Sequence, residues 1–188
     1  NTTGGNNSAF GFQALLQNTT ASNNTAVGYQ AGYSNTTGII TALGYQAGYS
    51  NTTGTDTCAI GNSALYKNTT GVANVATGDS ALYYNTTGGY NVAVGTSALQ
   101  SNTTADNNTA VGYQAGYSNT TGARNTFVGY QAGLNSNAAS GRNTFVGDGA
   151  GYLITTGVKN TVVGRYDGNT GGLDIRTSSN YIVLSDGD

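Results

Sequence analysis

Asn24-Thr-Ala-Val-Gly-Tyr-Gln-Ala-Gly-Tyr-Ser-Asn-Thr-Thr-Gly38 returns unchanged as Asn108 to Gly122. Outward from these two copies the same unit recurs along nearly the whole chain. A glycine that follows a short apolar pair marks it, at Gly11, Gly28, Gly44, Gly61, Gly78, Gly95, Gly112, Gly129, Gly147 and Gly164, in steps of 17, 16, 17, 17, 17, 17, 17, 18 and 17. The tripeptide Asn-Thr-Thr keeps the same time, beginning at Asn1, Asn18, Asn35, Asn51, Asn68, Asn85, Asn102 and Asn119. A fixed period this short means stacked supersecondary units, each relying on its neighbours to bury its apolar face.

A helix fits the unit poorly. Most copies carry two or three glycines and a cluster of Asn, Ser and Thr that compete for backbone hydrogen bonds. Asn-Thr-Ala-Val-Gly instead alternates small and branched residues between Gly and Asn punctuation, as a short strand does. Ser-Asn-Thr-Thr-Gly reads as a corner, because Asn tolerates the left-handed conformation and Gly supplies positive φ. The expectation is an all-β fold, a parallel β-solenoid or β-roll of about ten coils of about 17 residues, over residues 1–168. With two or three strands per coil and coils about 4.8 Å apart, such a rod would be about 50 Å long. Residues 169–188 lose the register and read as an irregular junction leading to a following domain, with Asp174-Ile175-Arg176 and Tyr181 to Asp188 reading as a strand that runs into a different structure.

Stacked coils turn repeated positions into ladders. Three residues after the marker glycine stands Ala (Ala14, Ala31, Ala47, Ala64, Ala81, Ala98, Ala115, Ala132, Ala150), a column expected where no larger side chain fits. Two residues before it, Ala gives way near the C-terminus to Phe127, Phe145 and Val162, which suggests a widening or capping region. Tyrosines recur one residue after the marker (Tyr29, Tyr45, Tyr113, Tyr130) and five after it (Tyr33, Tyr49, Tyr66, Tyr83, Tyr117, Tyr152). A thin coil walled by Ala and Gly buries little apolar area and costs much entropy to order, so the chain is expected to be homo-oligomeric.

Composition narrows function. Six basic residues and eight Asp, with no His and no Glu, leave no basic patch for nucleic acid and none of the usual acid, base and nucleophile pairings. No enzyme activity, cofactor or catalytic residue is therefore expected. Asp186-Gly187-Asp188 is a common turn more than a metal site. Cys58 is the lone cysteine and replaces Thr in its column, so no disulfide forms within the chain. Nothing resembles a membrane-inserting segment or a signal sequence, and the absence of Met, even at position 1, reads as an internal piece of a longer protein.

Asn1, Asn18, Asn35, Asn51, Asn68, Asn85, Asn102 and Asn119 each open a formal N-glycosylation sequon, which would line one edge of the rod with sugar. Alternatively, Asn-Thr-Thr is simply the corner that closes each coil. Adjacent threonines on a strand face opposite ways, so Thr-Thr offers one outward Thr per coil, and no two-column array suited to ice is evident. The exposed Tyr29, Tyr45, Tyr113 and Tyr130 are candidates for contacting cell-surface glycans by ring stacking, or else serve to stabilise the stack.

The Ala-Val-Gly and Phe-Val-Gly strands followed by Gln-Ala-Gly, with Thr-Thr-Gly turns, resemble the head repeats of trimeric autotransporter adhesins and the β-roll segments of bacteriophage tail fibres. Asn180 to Asp188 resembles the junction that precedes a self-cleaving C-terminal chaperone domain in many phage fibres. The resemblance implies a homotrimeric, non-enzymatic segment at a cell or virion surface, a rigid spacer and host-binding region. The adhesin repeats are usually shorter than seventeen residues, so coil shape and handedness do not carry over. A polymerising, glycosylated extracellular filament built from the same coils is the alternative.

Overall fold

The computed structural model describes residues 3–137, 139 and 141–185. Asn1 and Asp186–Asp188, which carry one sequon and the Asp-Gly-Asp turn, lie outside the described residues. The described chain winds as a parallel β-solenoid with one strand per coil. The strands are β1 (Ser8–Phe10), β2 (Thr25–Val27), β3 (Ile40–Leu43), β4 (Thr57–Ile60), β5 (Val75–Thr77), β6 (Val92–Val94), β7 (Thr109–Val111), β8 (Thr126–Val128), β9 (Thr144–Val146), β10 (Thr161–Val163) and β11 (Ile182–Leu184). They form a single sheet of 11 strands in chain order. Every pairing is parallel and keeps the repeat in register, as Ala26↔Ala42, Ala42↔Ala59 and Ala59↔Ala76 illustrate.

Two or three strands per coil were expected, and only one is present. The reason lies after the marker glycine, where residues two and four positions on take left-handed backbone angles: Gln30 (φ 52°) and Gly32 (φ 59°), Ser80 (φ 56°) and Leu82 (φ 51°). Two such residues so close together bend the chain continuously and leave no extended run. Coil-to-coil hydrogen bonds nonetheless persist around the bend, from the Leu82 N–H to the Ala98 carbonyl at 3.0 Å and from the Tyr84 N–H to the Gln100 carbonyl at 3.0 Å. The marker glycines and the glycines that end the Thr-Thr-Gly corners permit this stacking. A Cβ added at Gly54 or Gly61 would lie 2.5 Å from the carbonyl oxygen of Gly71 or Gly78 in the next coil.

Alanine forms two walls of the core. Ala26, Ala42, Ala59, Ala76, Ala93 and Ala110 point inward from the sheet, and Ala31 to Ala150 of the second column meet them, all fully buried; Ala14, in the first coil, is only partly so. Leu15, Leu65, Leu82 and Leu99 fill the remaining space in four coils. In other coils the Leu position is Gly, and the volume comes from elsewhere. Phe127 packs over Gly116 and Gly133, and Phe145 over Gly133 and Gly151. The phenylalanines occupy space that the missing leucines release.

β11 extends the sheet beyond the regular repeat, pairing Val183 with Val162 after a step of 21 residues, as in Thr161↔Ile182. The strand read near the C-terminal end thus joins the same sheet. Ile175 is buried in the longer loop, where Asp174 and Arg176 form a two-point ion pair with contacts of 2.7 and 3.0 Å.

Candidate functional site

Two faces and two interior ladders hold the residues singled out in the sequence. The asparagines of Asn-Thr-Thr lie inside. Asn18, Asn35, Asn51, Asn68, Asn85, Asn102 and Asn119 are at most 2% exposed. Each Nδ2 donates to the carbonyl three residues on, as from Asn68 to Gly71 at 3.0 Å. From Asn51 onward it also donates to the Oδ1 of the preceding coil, at 3.0 Å for Asn51 to Asn35, 2.8 Å for Asn68 to Asn51, Asn85 to Asn68 and Asn102 to Asn85, and 3.2 Å for Asn119 to Asn102. Both amide hydrogens are thereby committed from Asn51 to Asn119 and one in Asn18 and Asn35, and burial leaves no room for a sugar on these nitrogens in the folded coil. Structure assigns these tripeptides to corner formation.

A second asparagine column precedes the strands. Here Oδ1 accepts the next coil's backbone N–H, from Asn91 to Asn74 at 3.0 Å and from Asn108 to Asn91 at 2.9 Å. Buried amides in such chains largely satisfy one another, with Asn18 Oδ1, Asn119 Oδ1 and Asn108 Nδ2 left without a partner among the described residues, and stranding a buried amide costs more than any single bond is worth. The first Thr of the corners from Thr36 to Thr120 spends its hydroxyl on the next coil as well, as from Thr52 to the Thr69 carbonyl at 3.0 Å.

The first face is the outer side of the sheet. The residue just before each marker glycine points outward: Val27, Leu43, Ile60, Thr77, Val94, Val111, Val128, Val146 and Val163. Two residues earlier a parallel column runs through Thr25, Thr41, Cys58, Val75, Val92, Thr109, Thr126, Thr144 and Thr161. Neither column contains a charge. Leu43 (46%), Val111 (38%) and Val163 (42%) stand open to solvent. The two-column array not evident in the corner threonines exists here. It was legible in the period-two alternation around each buried Ala, once that Ala is known to face inward.

The second face follows the bend. Tyr29, Tyr45, Tyr113 and Tyr130 are all exposed, but they form two separate stacks. Phe12, Tyr29 and Tyr45 stack at 5.4 and 5.2 Å, and Tyr113 stacks on Tyr130 at 5.4 Å. Asn62, Asp79 and Thr96 interrupt the column between them. The second tyrosine column is continuous from Tyr33 through Tyr49 and Tyr66 to Tyr83, with spacings of 5.0–5.1 Å. Desolvation, and next the neighbouring Tyr33, Tyr66 and Tyr29 phenols, push the Tyr49 phenol above its ordinary pKa. Glutamine ladders run from coil to coil one residue beyond the first column: Gln30 donates to Gln13 at 2.7 Å, Gln46 to Gln30 at 2.8 Å and Gln131 to Gln114 at 2.8 Å.

Where the Tyr113–Tyr130 stack ends lies a cavity of about 360 Å³ lined by Tyr130, Gln131, Asp148, Tyr152, Arg165 and Asp167, among others. Arg165 and Asp148 form an open ion pair across it at 3.7 Å. Among the described residues no group of three or more His, Cys, Asp or Glu could hold a metal ion, and no helix is long and apolar enough to cross a membrane. Cys58 is a free thiol, half-buried on the sheet face, and burial raises its pKa. Comparison with protein-family models, with curated proteins and with solved structures finds no match.

Proposed function

We propose that the chain is a stiff, non-enzymatic segment of an extracellular fibre, of the kind carried by surface adhesins and phage tails. Copies of the chain pack through the outer face of the sheet and present the tyrosine columns outward. The observation that carries this reading is the uncharged apolar face along an all-parallel sheet. Parallel sheets ordinarily have both faces covered, and contiguous exposed apolar surface marks an association site. Here the coil covers the inner face only. The adhesin-like repeat points to three copies around a common axis parallel to the rod, each offering its sheet to the others.

Mass in solution together with electron microscopy of the purified chain tests the proposal. Discrete trimers of short rods are expected. Indefinite fibres with a regular axial repeat would support the filament-subunit alternative instead, and isolated monomeric rods would overturn both.

A second reading is favoured by four successive rungs, Thr109 with Val111, Thr126 with Val128, Thr144 with Val146 and Thr161 with Val163. Two regular columns of hydroxyls and methyls on one sheet face form a lattice suited to ordering water as ice. A monomer that holds a gap between freezing and melting points would support this reading, and a trimer that buries the face would exclude it.

A further inference from the structure

Two ladders end on the same step of the solenoid, and the end is shaped like a site. In the aromatic column Tyr113 covers one face of the Tyr130 ring, and the next coil supplies Asp148 where a third ring would stack. In the amide column Gln131 donates to Gln114, so each Oε1 awaits the amide of the coil that follows. That coil supplies Gly149, and a Cβ built there meets nothing within 4 Å. A ring face and an amide oxygen are therefore left uncapped side by side. Tyr152, Arg165 and Asp167 line the same cavity. The Asp167 carboxylate is held in place by the Asn169 N–H and the Thr170 hydroxyl, both at 2.8 Å.

We propose that this recess binds a neutral pyranose unit of a glycan, with the sugar completing the two interrupted ladders. The apolar C–H face of the ring stacks on Tyr130, in the place of the missing aromatic. A hydroxyl donates to Gln131 Oε1, in the place of the missing glutamine. The Asp148–Arg165 pair is loose at 3.7 Å, with side chains 61% and 69% exposed, so both groups are free to engage vicinal hydroxyls, Asp accepting and Arg donating. Two carboxylates against one guanidinium select against an acidic sugar. The volume, about 360 Å³, lies within the ordinary range for a small-ligand site. The first stack offers no equivalent, because after Tyr45 and Gln46 the next coil places Asn62 and Ser63 side chains in the gap.

The proposal deepens the reading of the rod as a surface-binding fibre. Sugar binding is nonetheless measured on the chain independently of its assembly, so either can fail alone. Saturation-transfer NMR on the whole chain, with methyl glucoside, methyl mannoside, methyl galactoside and N-acetylneuraminic acid as probes, tests it. Transfer to at least one neutral glycoside is expected, with little to the acidic sugar. The decisive variant is Asp148→Tyr with Gly149→Gln, which restores the regular repeat and continues both ladders through the recess. Gln is accepted in that left-handed position, as at Gln131 (φ 51°), so the variant is expected to fold at least as stably while losing binding by about tenfold or more. Tyr130→Ala should lose binding likewise, and Tyr45→Ala should keep it. Absence of transfer to every neutral glycoside, preference for the acidic sugar, or binding that survives the ladder-completing variant would each overturn the proposal.

Discussion

The ring of Phe127 occupies the space that a side chain at Gly133 would need, and a Cβ built on that glycine would overlap it. Three coils earlier the same two positions hold Ala76 and Leu82, both fully buried. The core thus trades volume between one position on the sheet and one on the bend.

Phe127→Ala should open a cavity and cost about 3–5 kcal/mol. Adding Gly133→Leu should recover most of that loss, because Leu82 adopts the same left-handed angle (φ 51°) that Gly133 has (φ 62°). Denaturant midpoints of the single and double variants check this. A double variant weaker than Phe127→Ala would contradict the exchange.

The interior asparagine ladder sets a second expectation. Asn68→Ala removes a donor to Asn51 and an acceptor for Asn85, leaving neighbours buried and unpaired. Loss of about 1–3 kcal/mol is expected for each group stranded. For the same reason, chain secreted from a glycosylating host should fold only with Asn35 to Asn119 unmodified. Peptide mapping of the folded fraction checks this, and sugar on Asn68 or Asn85 in folded rods would contradict it.

Much of this architecture was legible in the sequence. The period gave the coils, and the small size of Ala81 and Ala98 marked a wall with no room for a larger side chain. What was hidden depended on backbone angle or on pairing between coils. Nothing about Gln30 or Leu82 as residue types announces positive φ, so one strand per coil could not be told from three. The fit of Phe127 to Gly133 requires knowing that a residue before one marker glycine meets a residue four after it. Asn-Thr-Thr matches a sequon by composition, and only burial separates an amide in a ladder from one free to carry sugar. The recess beside Tyr130 appears only when Gly149 is aligned above Gln131.

Cys58 stands on the outer face of the sheet, half-exposed. In three copies packed in register through that face, the three thiols lie at one height around the axis. A short bis-maleimide should therefore trap covalent dimers at low protein concentration. Reaction should quicken as pH rises, since burial lifts the thiol pKa and only the thiolate reacts. Exclusive formation of singly capped monomer would count against in-register packing.

Asp174 lends itself to a pH test. The Arg176 side chain, and then its backbone N–H, hold this carboxyl at about 2, against an ordinary value of 3.8. The folded value lies below the unfolded one, so the contribution of the pair is present above the ordinary value and disappears as pH falls towards about 2. Both side chains are about half exposed, so the effect on global stability is small and the titration itself is the readout. Carboxyl-carbon NMR should place the midpoint low in the parent chain and return it towards the ordinary value in Arg176→Gln. Equal midpoints in both would remove the ion pair from the account.

Melting as a function of dilution, with sedimentation at each concentration, bears most directly on the association of copies through the sheet face. The parent chain is expected to sediment as a discrete oligomer whose melting temperature falls on dilution, since partners bound only by the folded state stabilise it by mass action. Val94→Lys with Val111→Lys places charges in the middle of the face and should leave only dissociated chains. A parent chain that sediments as a folded monomer, with melting independent of concentration, would contradict the fibre assembly and leave a solenoid that stands alone.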